Sequence, residues 1–269
     1  MCEFCTKHGE GKIWYKNAEN YAGDLLSDLR RRNYIENFLS SAFKEGFETL
    51  GRLETIFRKK GRLPKTVKTA LINKAKEEHF GQVLPIEEIS AVVNKASTVV
   101  RMPCACRWNI EKKEVRCCYA ISYGPDAWYE GIDMSYFGKA SDEGLESLKP
   151  DEAIKQMNEM EEHGTVHTIW TMMTPFIGAI CNCSLDECLA MRTLSRVQAE
   201  TMARAEYVAV VDEESCSGCG LCEAACHFKA IGGVTESGRS LARIDSHRCF
   251  GCGLCRRLCS TGSISLALR

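Results

Sequence analysis

The chain has 269 residues, 45% of them hydrophobic, with a net charge of −1 and a pI near 6.6. That is enough for two domains, or one with appendages, and it excludes the broad basic field of a nucleic-acid binder. The 17 cysteines are the outlier. Met1-Cys2-Glu3-Phe4-Cys5 lacks the basic and apolar regions of a secretory signal. The expectation is therefore a reducing cytoplasm, with thiols that ligate metal instead of pairing. The most apolar stretch, 168–180, is too short to span a bilayer.

Cys2, Cys5 and His8 open the chain as half of a zinc or cluster site, or as exposed thiols in a disordered start. From 18 to 58 apolar residues recur at helical spacing: Tyr21, Leu25 and Leu29, then Ile35, Phe38, Leu39, Phe43, Phe47, Leu50, Leu53 and Phe57. This predicts one or two long amphipathic helices, stopped by Gly61 and Pro64. Their stripe either docks a redox partner or a second copy, or packs on the chain's own middle domain. The run Arg30-Arg31-Arg32 reads as a solvated helix face. Helices follow over 65–80 and from Pro85 to about 96. A strand at 98–100 leads into a loop carrying Cys104, Cys106, Cys117 and Cys118. Glycines mark loop-rich ground to 148, then a helix runs from 150 to 162. Strands are expected at 165–170 and 177–180, the second delivering Cys181 and Cys183. A helix over 189–206, with Leu194 and Val197 inward, precedes a strand at 207–211.

Cys216, Cys219, Cys222 and Cys226 are spaced C-x2-C-x2-C-x3-C, and Cys249, Cys252, Cys255 and Cys259 repeat the spacing. Four thiolates at these intervals suit a cubane iron–sulfur cluster, and the repetition argues against a pair of zinc sites. A β-prone piece follows each run, at 230–231 and 264–266, and a further strand falls at 241–244. Residues 207–269 resemble a bacterial-type two-cluster ferredoxin domain, on the strength of Cys216-Ser217-Gly218-Cys219-Gly220-Leu221-Cys222 and Cys249-Phe250-Gly251-Cys252-Gly253-Leu254-Cys255. By that family's crossing rule, Cys216, Cys219, Cys222 and Cys259 hold one 4Fe–4S cluster, and Cys249, Cys252, Cys255 and Cys226 hold the other. The family's proline after the fourth cysteine is replaced by His227 and Ser260. Each site thereby regains a backbone N–H, which predicts potentials less negative than about −400 mV.

Nine cysteines remain. Pro103-Cys104-Ala105-Cys106-Arg107, Cys118, Gly164 to His167 and Ile180-Cys181-Asn182-Cys183 resemble a Cys-rich domain. That domain precedes ferredoxin domains in some anaerobic iron–sulfur electron-transfer proteins, and the resemblance covers roughly 85–269. A further cluster is expected on four of Cys104, Cys106, Cys118, Cys181 and Cys183, with Cys188 able to replace one. A structural zinc and buried free thiols are the alternatives. Arg107 stands where it offsets cluster charge or is a surface cation. His167 is a candidate neighbour of the site or a satisfied core histidine. No dinucleotide, P-loop or radical S-adenosylmethionine motif is present.

The expected fold is α+β in three parts: 1–63, a Cys-containing segment and helical arm; 64–206, a small Cys-rich middle domain; and 207–269, the two-cluster domain. The expected function is single-electron transfer to or from a redox partner protein, as a separate carrier or as the electron-transfer subunit of an oxidoreductase. The alternative is an oxidoreductase whose middle-domain metal site reduces or activates a substrate, wired by the ferredoxin part.

Overall fold

The computed structural model describes residues 13–141, 144–236 and 239–269. Cys2, Cys5 and His8 lie outside the described residues. The protein is mixed α/β. Its strands are β1 (Gly81–Val83), β2 (Thr98–Met102), β3 (Cys118–Ser122), β4 (Glu146–Leu148), β5 (Val166–Thr171), β6 (Ile177–Cys183) and β7 (Met202–Ala203), which form one sheet in the order β4-β2-β3-β6-β5-β1-β7. Strands β8 (Tyr207–Val211) and β11 (Ile264–Leu268) pair with each other, as do β9 (Ile231–Glu236) and β10 (Arg239–Ile244). The helices are α1 (Leu29–Glu36), α2 (Lys44–Lys60), α3 (Lys65–Glu78), α4 (Ile86–Val93), α5 (Ala105–Glu111), α6 (Pro150–Glu162) and α7 (Leu189–Val197), with short α8 (Leu221–Ala225) and α9 (Leu254–Arg257) in the C-terminal part.

Residues opposed across a ladder point to the same face, so register sorts the sheet's side chains. Val99 opposes Ile121, Tyr119 opposes Ile180, and Ile180 opposes Ile169. This face packs with Ile89 and Val92 of α4, Ala153 and Met157 of α6, and Trp14, Tyr15 and Tyr21. Ile121, Ile169 and Ile180 are fully buried, each worth about 1.5–3 kcal/mol by transfer from water. The opposite face carries Val100, Ala120, Ala179, Trp170, Cys118 and Cys181. Ile35, Leu39 and Phe43 cover part of it, together with Trp128, Ile132 and Phe137.

Much of the N-terminal stripe, Tyr21, Ile35, Leu39 and Phe43, is therefore spent on the chain's own sheet, whereas Leu29 is exposed. The stripe is also more broken than its periodicity predicts. Short 3-10 turns occupy Trp14–Lys16, Ala18–Tyr21 and Gly23–Ser27, and a π-helical stretch, Phe38–Phe43, separates α1 from α2. Asn17 and Asp28 accept the N–H groups of Glu19 and Arg30, and these local bonds restart the chain instead of continuing a helix. Leu50 and Leu53 pack with Val197 and Ala199. The helix expected over 189–206 ends at Val197, where Gln198 turns left-handed at φ 57, and Met202–Ala203 then joins the sheet. The loop expected around the first cysteines contains α5, and Cys118, Cys181 and Cys183 stand inside strands.

Glu88 ties three segments together. It accepts from Lys16 Nζ at 3.0 Å and from Tyr207 Oη at 2.6 Å. Burial raises its carboxyl pKa, but the hydrogen bonds from Lys16 and Tyr207 outweigh this and hold it below the ordinary value. A depressed carboxyl contributes stability above the unfolded value of about 4.3 and loses it as pH falls through the folded value. Glu88→Gln is expected to cost about 1.5–3 kcal/mol at neutral pH. In thermal melts the gap to the parent closes on acidification below the carboxylate range. A gap independent of pH would remove charge from this account.

Candidate metal centres

In the C-terminal part, Cys216 and Cys219 lie on the loop before α8 and Cys222 in its first turn. With Cys259 from the second run they line a single cavity of about 250 Å³. Cys249, Cys252 and Cys255 line a second, tighter cavity with Cys226 from the first run. The loops close this sharply because Gly218 and Gly251 adopt φ +68 and +69. A Cβ at Gly218 would stand 2.2 Å from Ser240 O, and one at Gly251 would stand 2.1 Å from Tyr207 O. Gly251→Ala combines left-handed strain of about 1–2 kcal/mol with a backbone collision. The expected result is loss of about four irons per chain by anaerobic iron analysis. Gly61→Ala, with equal strain (φ +69) and open space, leaves the count unchanged. Equal losses in both variants would refute the collision argument.

The two cavities differ in exposure. The difference lies at Cys219, which is exposed; Cys216, Cys222, Cys249 and Cys255 are buried, and Cys226, Cys252 and Cys259 are half-buried. Burial pushes the Cys255 thiol up to about 12 and that of Cys252 further. At Cys259 burial acts the same way, but the Ser263 and Thr261 hydroxyls hold the thiol down, to about 7. These hydroxyls lie 3.2 Å and 3.5 Å from Cys259 Sγ. Ala230 N–H donates to Cys226 Sγ at 3.3 Å. His227, expected to tune a cluster, directs Nε2 to Gly164 O at 2.7 Å and ties the C-terminal part to the turn before β5.

The middle cysteines gather at one end of the sheet. Cys118 opposes Cys181 across β3 and β6, with the sulfurs 3.8 Å apart. Cys183 lies two residues along the same face of β6. Cys104, buried at the end of β2, brings its sulfur within 4.8 Å of those of Cys117 and Cys118. Cys106 follows on α5, and Cys188 immediately precedes α7. The seven thiols perturb one another. Cys106, Cys117, Cys118 and Cys183 pull the Cys104 thiol well below the usual range. Cys188 is lowered by Cys106 and Cys183, and Cys181 is lowered to about 6 by Cys118 and Cys183. The thiols of Cys106, Cys117, Cys118 and Cys183 are raised. For Arg107, burial is outweighed by the thiols of Cys117 and Cys104 with Glu187, and its pKa rises. Convergent soft sulfur donors with a nearby guanidinium fit a metal–thiolate centre.

All five middle cysteines singled out in the sequence meet here, and Cys188 joins them. Cys117 was missed. Alternation along a strand would turn it away from Cys118, but β3 begins only at Cys118, and Cys117 stands outside the pleat. His167 is fully buried and opposes Asn182, so the pleat sends it to the face opposite Cys181 and Cys183. Its Nδ1 lies 2.6 Å from Asn182 Oδ1, and Asn182 Nδ2 donates to Cys117 O at 3.0 Å. Asn182 thus links the His167 ring to the backbone of Cys117. Burial lowers its pKa, with Asn182 opposing.

Phe228 and Phe250 stack at 4.1 Å with 14° between planes. They belong to one apolar layer with Met191, Cys183 and Cys188 of the middle region and Cys226 and Cys252 of the C-terminal part.

Residues 209–266 match a 4Fe-4S dicluster domain family. The Cys-rich region before it lies outside that match. No curated protein matches the chain. Among the described residues no helix is long and apolar enough to cross a membrane.

Proposed function

We propose that this chain is an iron–sulfur electron-transfer protein with three centres in series. The observation that carries the reading is the apolar layer of Phe228, Phe250 and Met191, which joins one C-terminal cysteine set to the middle thiols. Cys216, Cys219, Cys222 and Cys259 would hold an outer 4Fe–4S cluster, and Cys249, Cys252, Cys255 and Cys226 an inner one. Four of the seven middle cysteines, with Cys104 central, would hold the third. When bound, these groups supply one-electron chemistry and little else.

The chain's own residues give the series a direction. Exposure at Cys219 opens the outer set to a partner protein. Phe228 and Phe250 exclude water between the inner set and the middle thiols. The hydroxyls of Ser263 and Thr261 stabilise negative charge on Cys259. Because Ile35, Leu39 and Phe43 of the N-terminal stripe are buried in the chain itself, partner docking is placed on the Cys219 side. A cytoplasmic setting fits so many unpaired thiols. Anaerobic purification with metal and sulfide analysis tests the reading: about twelve irons per chain are expected, four per cubane. About eight irons with one zinc would reduce the middle site to a structural one.

A second reading, an oxidoreductase with the C-terminal clusters as its wire, is favoured by one observation. A large apolar cavity ends on Cys106, Cys118, Cys181, Cys183 and Cys188.

A further inference from the structure

That cavity has a volume of about 240 Å³ and lies between the sheet and helices α2, α3 and α7. One wall is the thiol cluster. Another is aromatic: His79 stacks on Trp170 at 4.8 Å with 14° between planes, and Phe38 meets His79 at 4.8 Å. Small side chains keep the space open, among them Ala42, Gly46, Ala75, Ala120 and Ala179. The π-helical stretch Phe38–Phe43 contributes Phe38, Leu39, Ala42 and Phe43 to the lining, and such widened turns recur at functional sites. The charged residues of the lining are Glu45, Lys74 and Glu78, all on α2 and α3. Glu45 and Lys74 are exposed. They mark a mouth between the two helices, away from the thiols.

The shape and chemistry select an occupant. An anionic ligand would have to leave water for a lining whose only cation, Lys74, stands at the mouth. A dry cavity of about 150 Å³ already accepts benzene, so this one has room for a bicyclic of about ten non-hydrogen atoms. Stacked rings on one wall suit a flat molecule.

We propose that this cavity binds a small, uncharged, flat apolar molecule and holds it against the thiol wall. The proposal rests on the second functional reading for its use, since a molecule seated there is the substrate class available to an adjoining centre. The mouth admits it between α2 and α3, and the sheet and α7 close the far side.

Isothermal titration of the full-length, anaerobically purified protein tests the assignment, with indole as the neutral probe and 2-naphthoate as the charged one. Indole is expected to bind saturably at one site, and 2-naphthoate at least about a hundredfold more weakly. Ala42→Phe and Thr49→Phe each fill the space from a different turn. Each is expected to weaken indole at least about tenfold while the iron content stays at the parent value. Bound indole should also change the EPR spectrum of the middle centre and leave the C-terminal signals as they were. Equal affinity for both probes, or unchanged binding in both filled variants, overturns the proposal. Saturable binding without any EPR change overturns contact with the thiol wall. Saturable binding in a protein with about eight irons keeps the cavity assignment and removes the redox centre. About twelve irons without indole binding does the reverse.

Discussion

Replacing Cys104 with serine should empty the middle centre while the two C-terminal sets keep their irons. Cys104 is 1% exposed, and its sulfur lies within 4.8 Å of those of Cys117 and Cys118. Serine is nearly isosteric, so the sheet and α5 have no reason to move, but a hydroxyl does not replace a soft thiolate toward iron. Iron content should fall by about four per chain, with the reduced EPR spectrum losing one component. The C-terminal components should persist, since Cys104 lines neither of their cavities. Single serine variants at Cys117 and Cys188 then sort ligands from bystanders. A Cys104→Ser protein with parental iron and spectra would end the assignment of that residue.

Truncating Phe250 should separate the two halves of the molecule, energetically and electronically. Phe250 is 3% exposed, stacks on Phe228 and lies under the Arg204 guanidinium at 5.1 Å. Phe250→Ala leaves a cavity in a layer that both halves share and is expected to cost about 3–5 kcal/mol. Phe250→Leu keeps most of the volume and costs less, so it isolates the electronic effect. Rapid mixing with a reductant that enters at the Cys219 side should then show prompt reduction of the C-terminal clusters. Reduction of the middle centre should be delayed, with its potential unchanged. An unaltered rate in both variants would place the route elsewhere.

The C-terminal part was legible because ligand spacing there is local. The loop Cys216 to Cys222 needs only its own glycines to close, and the crossing cysteine comes from a run of the same spacing. The helices at 65–78 and 150–162 and the strands at 166–171 and 207–211 carried periodicity enough to be read directly. The middle centre was harder. Cys104, Cys118 and Cys183 meet only through the order of β2, β3 and β6, which no local pattern encodes. Cys117 depended on where a strand begins, a matter of one residue. The N-terminal stripe showed that Ile35, Leu39 and Phe43 wanted burial, but periodicity does not name the surface that buries them. Asp28 carried a capping signal inside the stretch read as helix, and that signal broke it; Asn17 carried one just ahead of it.

The unequal burial of the two C-terminal cysteine sets bears on how the molecule fails. Dioxygen and small oxidants reach a cluster through its exposed edge, and Cys219 offers that edge while Cys249 and Cys255 do not. Under the proposed ligation the outer cluster corrodes first. Its loss disconnects the deeper centres from any donor before oxidant reaches them. With clusters so held, the outer set would work as a fuse: a brief exposure to air would leave the buried cysteine sets cut off and not themselves attacked. Rebuilding one surface cluster restores the circuit.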